Sequence, residues 1–522
     1  MASVYALTQE LIREVSRRDG RSDIDKIRDL LQRGADINGV DSWIWTPLMI
    51  LADKEDNKST QIIIELLKHK NLDLNAKDMN GKTALMVAIR HGQQEVVRML
   101  LEDDRVEINA KGNLGYTALT LASQGGHAEI VRMLLKDDSV DVNAKDDRGR
   151  TALNIASQDG KQEVVCMLLK DDRVDVARYG NTALIEASYY GHKEVVIILL
   201  KDGRVDVDAK DDNGWTSLMI ATNRDRREVV RMLLKDDRVD VNAKDNQGKT
   251  ALIRASCFCG YQELVRILLE DDRMDVNAQD EEGRTALIFA SQDDQHEVVR
   301  MLLKDNRVDV NVKENRGRTA LIIASQGGKQ EVVRILLKHN RVEVNAKDND
   351  GKTALIWVIR CGQEEVVDEL LKDDRMDINA EDNQGRTALM AASRFGTKKR
   401  KRTVGILLKD DRVEVNAKDY RGRSAFFWAN YCGSPNTIHM FLKHGRVDVN
   451  AAGGALGNTA LMWACLRGQT AIVSELLAFP MLDVQAKNMA GSTALDIARE
   501  VQMLEIARLL EARAEFDCRR DL

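Results

Sequence analysis

Apolar and polar positions alternate along most of this chain with a period close to 34 residues. The phrase Thr-Ala-Leu and its close variants recur with the Thr (once Ser) at 46, 83, 117, 151, 182, 216, 250, 285, 319, 353, 387, 424, 459 and 493, and eight of the thirteen intervals are 34 residues. One full unit reads Asp211-Asp-Asn-Gly-Trp-Thr-Ser-Leu-Met-Ile-Ala-Thr222, then Glu228-Val-Val-Arg-Met-Leu-Leu-Lys235, then Asp236-Asp-Arg-Val-Asp-Val-Asn-Ala-Lys244. Thr216 stands where an N-cap belongs, because its hydroxyl accepts from the free N–H groups of a first turn. Leu218, Met219 and Ala221 open a short helix whose small residues permit close stacking. Val229, Val230, Leu233 and Leu234 fall at helical spacing and give a second helix one apolar face.

The residue before each Arg-Val or its variant is always Asp, Asn or Gly, from Asp104 and Asp138 to Asp411 and Gly445. These residues tolerate a left-handed backbone at low cost, which predicts a left-handed stop after each second helix. The following Val-Asp-Val-Asn-Ala-Lys-Asp with its Gly reads as an extended arm and turn. Each unit then touches only its neighbours, so the chain is expected to be mainly α, a curved solenoid of helix-turn-helix units joined by β-hairpin-like turns. At ~10 Å per stacked layer, fourteen units would span on the order of 140 Å. The expected domains are a capping helix pair over 1–41, one continuous array over 42–511, and a tail over 512–522. Leu7, Leu11, Ile12 and Val15 make the leading stripe, and Arg499, Glu505, Arg508 and Arg513 wet the last pair.

Composition narrows the setting. Of 522 residues, 43% are hydrophobic and 31% charged, enough apolar material to exclude bulk disorder. The net charge of −6 offers no global attraction to nucleic acid or to an anionic membrane. No apolar run reaches the ~20 residues that span a bilayer, and the opening Met1–Glu10 has no leader pattern. Seven scattered cysteines fit a reducing compartment. A cytoplasmic, monomeric protein is expected.

Two short helices and an extended turn per unit resemble the ankyrin repeat. Gly214-Trp-Thr-Ser-Leu218, Gly126-His127, Glu228-Val-Val230 and Asp240-Val-Asn-Ala243 match the family pattern, over roughly residues 41–511. Pro is kept only at Pro47, and the family's His is replaced, for example by Met49, Asn154, Ile288 and Asp496. Inter-repeat contacts therefore turn mostly apolar. The resemblance implies a non-enzymatic scaffold that binds proteins on its concave face through hairpin tips and first helices. In this numbering those are the places just before the Thr and four, seven or eight after it.

All six tryptophans fall there. Trp45, Tyr116, Tyr190, Trp215, Phe289, Trp357, Phe395, Trp428 and Trp463 are the candidate partner-binding residues, since Trp and Tyr dominate binding hot spots. The same positions suit aromatics that fill gaps between first helices. Residues 353–468 are the densest patch. A ladder of cations precedes the Thr (Arg150, Arg284, Arg318, Arg386, Arg423), and acids in the same turns are expected to neutralise much of it. Irregular intervals mark an insertion at Lys54–Lys58, a shortened arm near Ala177–Gly180, and a basic loop between two helices, Lys398, Lys399, Arg400, Lys401 and Arg402, which looks like a nuclear-import signal.

No catalytic, metal or cofactor site is expected. Gly248-Lys-Thr250 and its equivalents lack the first glycine of a phosphate loop, and Cys257 and Cys259 have no second pair at zinc spacing. One alternative function comes from Thr182-Ala-Leu-Ile-Glu-Ala-Ser-Tyr-Tyr190, which looks like the base-reading segment of the ankyrin domain of RNase L, an oligoadenylate receptor. Glu186 and Tyr190 match it, Tyr116 would stack, and Arg148 or Arg150 would meet phosphate. Asn181 breaks the aromatic position. A second alternative is an adaptor or secreted effector. Asn143 and its equivalents also resemble sites of asparaginyl hydroxylation.

Overall fold

The structure is a computed structural model that describes residues 2–17, 22–394 and 398–520, with side chains for 4–17, 22–394 and 401–515. The described residues are almost entirely helices and turns, from Ala2–Val15 to Leu504–Arg520. They form two compact units, Met1–Asn246 and Gln247–Leu522. Both units are ankyrin-type solenoids in which first helices stack on first helices and second helices on second helices.

The repeat 211–244 shows how the sequence builds each layer. Thr216 is extended and its hydroxyl accepts from Met219 N–H at 3.4 Å, which starts the helix Ser217–Asn223. Residues 217–222 of that helix are all buried, and it packs against the helix Val176–Tyr190 and against its own second helix, Arg227–Leu234. Asp225 turns the chain with φ 53°, and the helix Arg227–Leu234 buries Val229, Val230 and Leu233. The same Thr or Ser cap recurs at Thr46, Thr117, Thr285, Thr353, Ser424 and Thr459.

The left-handed stop expected after every second helix is present at one of them only, Pro435–His444. Of the positions preceding Arg-Val, Gly445 alone has a positive φ, at 79°. The turn is held by the residue one step earlier. Asp236 accepts the Arg238 N–H at 3.1 Å, and its carboxylate pairs with the Arg238 guanidinium at 2.7 Å. The Val239 N–H then closes the turn on the Asp236 carbonyl. Asp, Asn and Gly suit this right-handed turn as well as a left-handed one, so the preference was real and the conformation was not. The left-handed residues lie instead between the two helices, as at Gly126 (φ 72°), Asp225 and Asp294 (φ 61°).

Each of these arginines also clasps the preceding repeat. Arg173 reaches the Leu135 carbonyl at 2.7 Å and the Asp137 carbonyl at 3.0 Å. Arg307 reaches Leu269 at 2.8 Å, and Arg375 reaches Leu337 at 2.6 Å. The Leu135, Leu269 and Leu337 carbonyls are the last of their second helices, have no partner within their own helix and carry its partial negative charge. The Asn of each Val-Asn-Ala is the second fastener. Asn143 donates to the Arg173 carbonyl at 2.8 Å and accepts from Asp175 N–H at 3.0 Å, and Asn345 does the same with Arg375 and Asp377.

Two breaks in the period take unexpected form. The shortened arm near 177–180 is absorbed into one long helix, Val176–Tyr190, capped by Asp175. Thr182 is therefore inside a helix and caps nothing. Gly180 fits closely there: a Cβ would lie 3.0 Å from side-chain atoms of Val176 and Val205 and would push them aside. The basic run expected as a loop belongs to the helix Lys398–Lys409, and Arg402 reaches Glu364 at 3.4 Å.

Candidate functional site

The densest aromatic cluster arises on the helix Ala425–Tyr431. Ser424 caps it by accepting from Phe427 N–H at 3.2 Å. Phe426 faces inward against Phe441 of the second helix, with centroids 5.7 Å apart. Helical spacing puts Phe427, Trp428 and Tyr431 on the other side, where Phe427 and Tyr431 stack at 6.1 Å and 11°. Trp463, from the helix Ala460–Leu466, meets them edge-on at 5.5 Å from Phe427 and 5.9 Å from Tyr431.

Guanidinium groups lie on these rings. Arg423 is 4.3 Å and Arg394 5.0 Å from Trp428, and Arg467 is 4.6 Å from Tyr431. Such stacking holds a planar cation in place. Arg423 is also paired with Asp419 at 2.8 Å. The Asp419 side chain is fully buried and already accepts from the backbone of Arg421 and Arg423, so it is committed to its own hairpin.

The next hairpin, Ala451-Ala-Gly-Gly-Ala-Leu-Gly-Asn458, departs from the pattern. It has neither the carboxylate that Asp419 supplies nor the cation that Arg423 supplies. It closes by a Gly453–Asn458 bridge, and a Cβ on Gly453 would lie 3.2 Å from the Phe427 ring. With only Gly454 and Ala455 of this tip facing it, a cavity of about 680 Å³ remains, lined also by Arg394, Tyr420, Arg421, Arg423, Phe427, Trp428, Tyr431 and Trp463.

The other candidate residues are dispersed. Trp357 is half-buried, and its indole N–H donates to Asp348 at 2.7 Å. Phe289 is buried between Arg284, 4.4 Å from its ring, and Lys249 at 5.2 Å. Trp428 is also buried, whereas Tyr431 is exposed. Tyr116 accepts from Arg150 at 3.0 Å through its hydroxyl. Trp45, with the exposed Trp43, lines a cavity of about 730 Å³ beside Asp41, Asp53 and Lys54. Tyr190 and Trp215 share a cavity of about 480 Å³ with Glu186 and Arg224, outside which Tyr116 lies. Burial pushes the Glu186 carboxyl above its ordinary value. Phe395 lies outside the described residues, as do the side chains of Lys398, Lys399 and Arg400.

The cationic ladder is self-paired. Arg150 meets Asp146 at 2.8 Å, Arg284 meets Asp280 at 2.9 Å, and Arg386 meets Asp382 at 2.7 Å. Sequence reasoning missed Arg394, Arg421 and Arg467. Arg394 and Arg467 follow their Thr by seven and eight residues, the same places that were searched for aromatics, so that signal was available. Among the described residues no group of three His, Cys, Asp or Glu side chains is arranged to hold a metal ion, and no helix is long and apolar enough to cross a membrane.

Capped helix pairs, clasped layer to layer and presenting a row of hairpin tips, define a helical-repeat protein built to display a surface. A family model described as ankyrin repeats (3 copies) matches residues 17–112, 105–178, 171–245, 237–314, 306–382 and 426–520. The chain belongs to the ankyrin-repeat family, whose members are generally protein-interaction modules and typically lack enzymatic activity. Among solved structures it is similar to EF0377, an ankyrin repeat protein, at 27% identity over 39% of this chain and 98% of that one, with a TM-score of 0.35. No curated protein matches it.

Proposed function

We propose that this chain is a non-enzymatic scaffold that holds a partner protein against its hairpin tips and first helices. The observation that supports this most is the open aromatic cavity between Tyr420 and Trp463, on the face where the family's repeats present their variable residues. Aromatic and Arg side chains around a desolvated pocket are the composition of an interface anchor. In this reading Tyr431 and Trp463 touch the partner, and the buried Phe427 and Trp428 shape the wall. Trp357, bonded to Asp348 of its own hairpin, and Phe289, held between Arg284 and Lys249, set the floor of the neighbouring surface.

The test is capture from nuclease-treated lysate by the parent and by a Tyr431→Ala, Trp463→Ala variant of unchanged helicity and melting temperature. A protein held by the parent, lost by the variant, and bound again when both components are purified supports the scaffold. Equal retention by both proteins removes this face from the reading. Loss of all capture on nuclease treatment moves the weight to nucleic acid.

A further inference from the structure

We infer that the cavity between Tyr420 and Trp463 receives an acidic, aromatic-bearing peptide segment of a protein partner, one aromatic side chain flanked by Asp or Glu. The inference rests on the scaffold reading above and adds the chemistry of what is held.

Charge points to the acidic half. The lining contains no Asp, Glu, Asn or Gln side chain. Its polar groups are guanidiniums, phenols and indoles, a set dominated by donors. Asp419, the nearby carboxylate, is buried and spent on Arg421 and Arg423. Arg421, which is exposed, and Arg467 have no carboxylate partner among the described residues. The hairpin 451–458 brings neither acid nor cation, so nothing on it offsets Arg421 and Arg467. The cavity therefore keeps uncompensated positive charge beside a low-dielectric wall, the setting in which complementary charge sets partner choice.

Shape points to the aromatic half. Phe427 and Tyr431 are nearly parallel, and Trp463 stands at 85° and 76° to them, so a ring entering the cavity finds both edge-to-face and offset-stacked partners. The Trp428 ring is already covered by Arg394 and Arg423, and Arg467 occupies one side of Tyr431. That leaves Phe427, Tyr431 and Trp463 for the incoming ring, with Arg421 and Arg467 for its flanking carboxylates.

The same features offer little to the base and ribose of a nucleotide. A base and ribose present amino and hydroxyl donors, and apart from two phenols the lining has no side-chain acceptor to receive them. The side chains of an Asp- and Glu-flanked Phe present acceptors and no donor.

The test uses the full chain and a fluorescein-labelled synthetic peptide with one Phe between Asp-Glu pairs, read by anisotropy. Controls are the amide peptide (Asn and Gln in place of the acids), the same peptide with Ala for Phe, ATP, and a labelled oligothymidylate. The expected result is saturable binding that weakens with salt. Binding should fall at least about tenfold in Arg421→Glu and in Trp463→Ala, and by a similar factor with either control peptide. Arg421 is exposed, so its reversal leaves the fold intact, which a melting curve verifies. No binding by the parent, or equal binding by Arg421→Glu, overturns the inference. Tighter binding of ATP or oligothymidylate than of the peptide overturns the peptide class. If Tyr431 and Trp463 govern partner capture while the acidic peptide fails to bind, the scaffold stands and this chemistry falls. If the peptide binds as expected while capture ignores those residues, the cavity chemistry stands and the scaffold reading loses this face.

Discussion

Asp208 accepts the Asp240 backbone N–H through both carboxylate oxygens at 3.0 Å, in a place where other repeats hold asparagine. Asn143 and Asn311, in the equivalent position, each accept from the next repeat and also donate to it, both at 2.8 Å to an arginine carbonyl. A carboxylate has no proton to donate. Burial, with Asp240, Asp206 and Asp236 nearby, pushes the Asp208 carboxyl above its ordinary value. A raised native-state value means that folding binds a proton, so stability falls as pH rises from the ordinary carboxylate range through the raised value. Asp208→Asn is expected to restore the missing bond and stabilise the chain by about 1 kcal/mol at neutral pH. Urea unfolding at pH 7 and pH 4 checks it: the gain should shrink at the lower pH. An unchanged midpoint at pH 7 would refute the account.

The arginine clasp is missing at three places, Asn71, Ser139 and Met481. Ser139 stands where the other repeats of this kind place Arg173, Arg307 or Arg375, and its backbone still makes the turn on Asp137 at 2.8 Å. Ser139→Arg is expected to extend a guanidinium to the end of the preceding second helix and to stabilise by about 0.5–1 kcal/mol. The reverse change, Arg375→Ala, strips the Leu337 carbonyl of its partner and should cost about 1 kcal/mol. Amide exchange over Gln330–Leu337 is the local readout. Protection there should drop in Arg375→Ala before distant helices change.

How much of this was readable from the sequence depended on whether a residue's role was forced by its period. Thr216, Leu218 and Val229 repeat at fixed offsets, and their cap and core roles follow from that spacing. The left-handed stop failed because Asp237 is permitted by two backbone shapes, and the deciding bond, Asp236 to Arg238, lies one residue earlier. Thr182 kept the motif but lost its hairpin, so the helix ran through it. The aromatic cluster was legible as a register, since Trp428 and Trp463 sit four after their caps. The cavity was not, because it depends on what Ala451–Asn458 lacks and on guanidiniums supplied by three different repeats.

Acid should loosen the array through its turn anchors. Asp171, Asp202, Asp305, Asp373 and Asp410 are each held below the ordinary Asp value, first by the side-chain bond from the arginine two residues on. Glu65, bound by Arg28 and Lys68, is lowered to about 2. Depressed native-state values give stability that is present above the unfolded values and lost as pH falls through the depressed ones. The urea midpoint is therefore expected to fall from about pH 4 downward. Arg375→Gln lets Asp373 return towards its ordinary value, so that variant should start less stable and show a shallower acid decline. A decline as steep as the parent's would show that Asp373 is not one of the groups responsible.

Trp357 and Trp463 occupy the same position on their first helices, four after the cap, and both are half-buried, yet their indoles differ. Trp357 donates to the Asp348 carboxylate at 2.7 Å, whereas the buried Trp463 Nε1 has no hydrogen-bond partner. The same substitution at both sites removes a similar volume, so the difference between them isolates the hydrogen bond. A bond to a charged acceptor contributes about 1.5–3 kcal/mol, and its loss also strands a buried carboxylate oxygen. Trp357→Phe is expected to cost about 2 kcal/mol. Trp463→Phe should change stability by less than about 0.5 kcal/mol, because relief of an unpaired donor offsets the lost area. Thermal and urea unfolding of the two single variants and the double variant settle the comparison. Separated by many residues and sharing no partner, the two changes should add. Equal costs at the two sites would mean that the Trp357–Asp348 bond contributes nothing net, and that packing alone places these tryptophans.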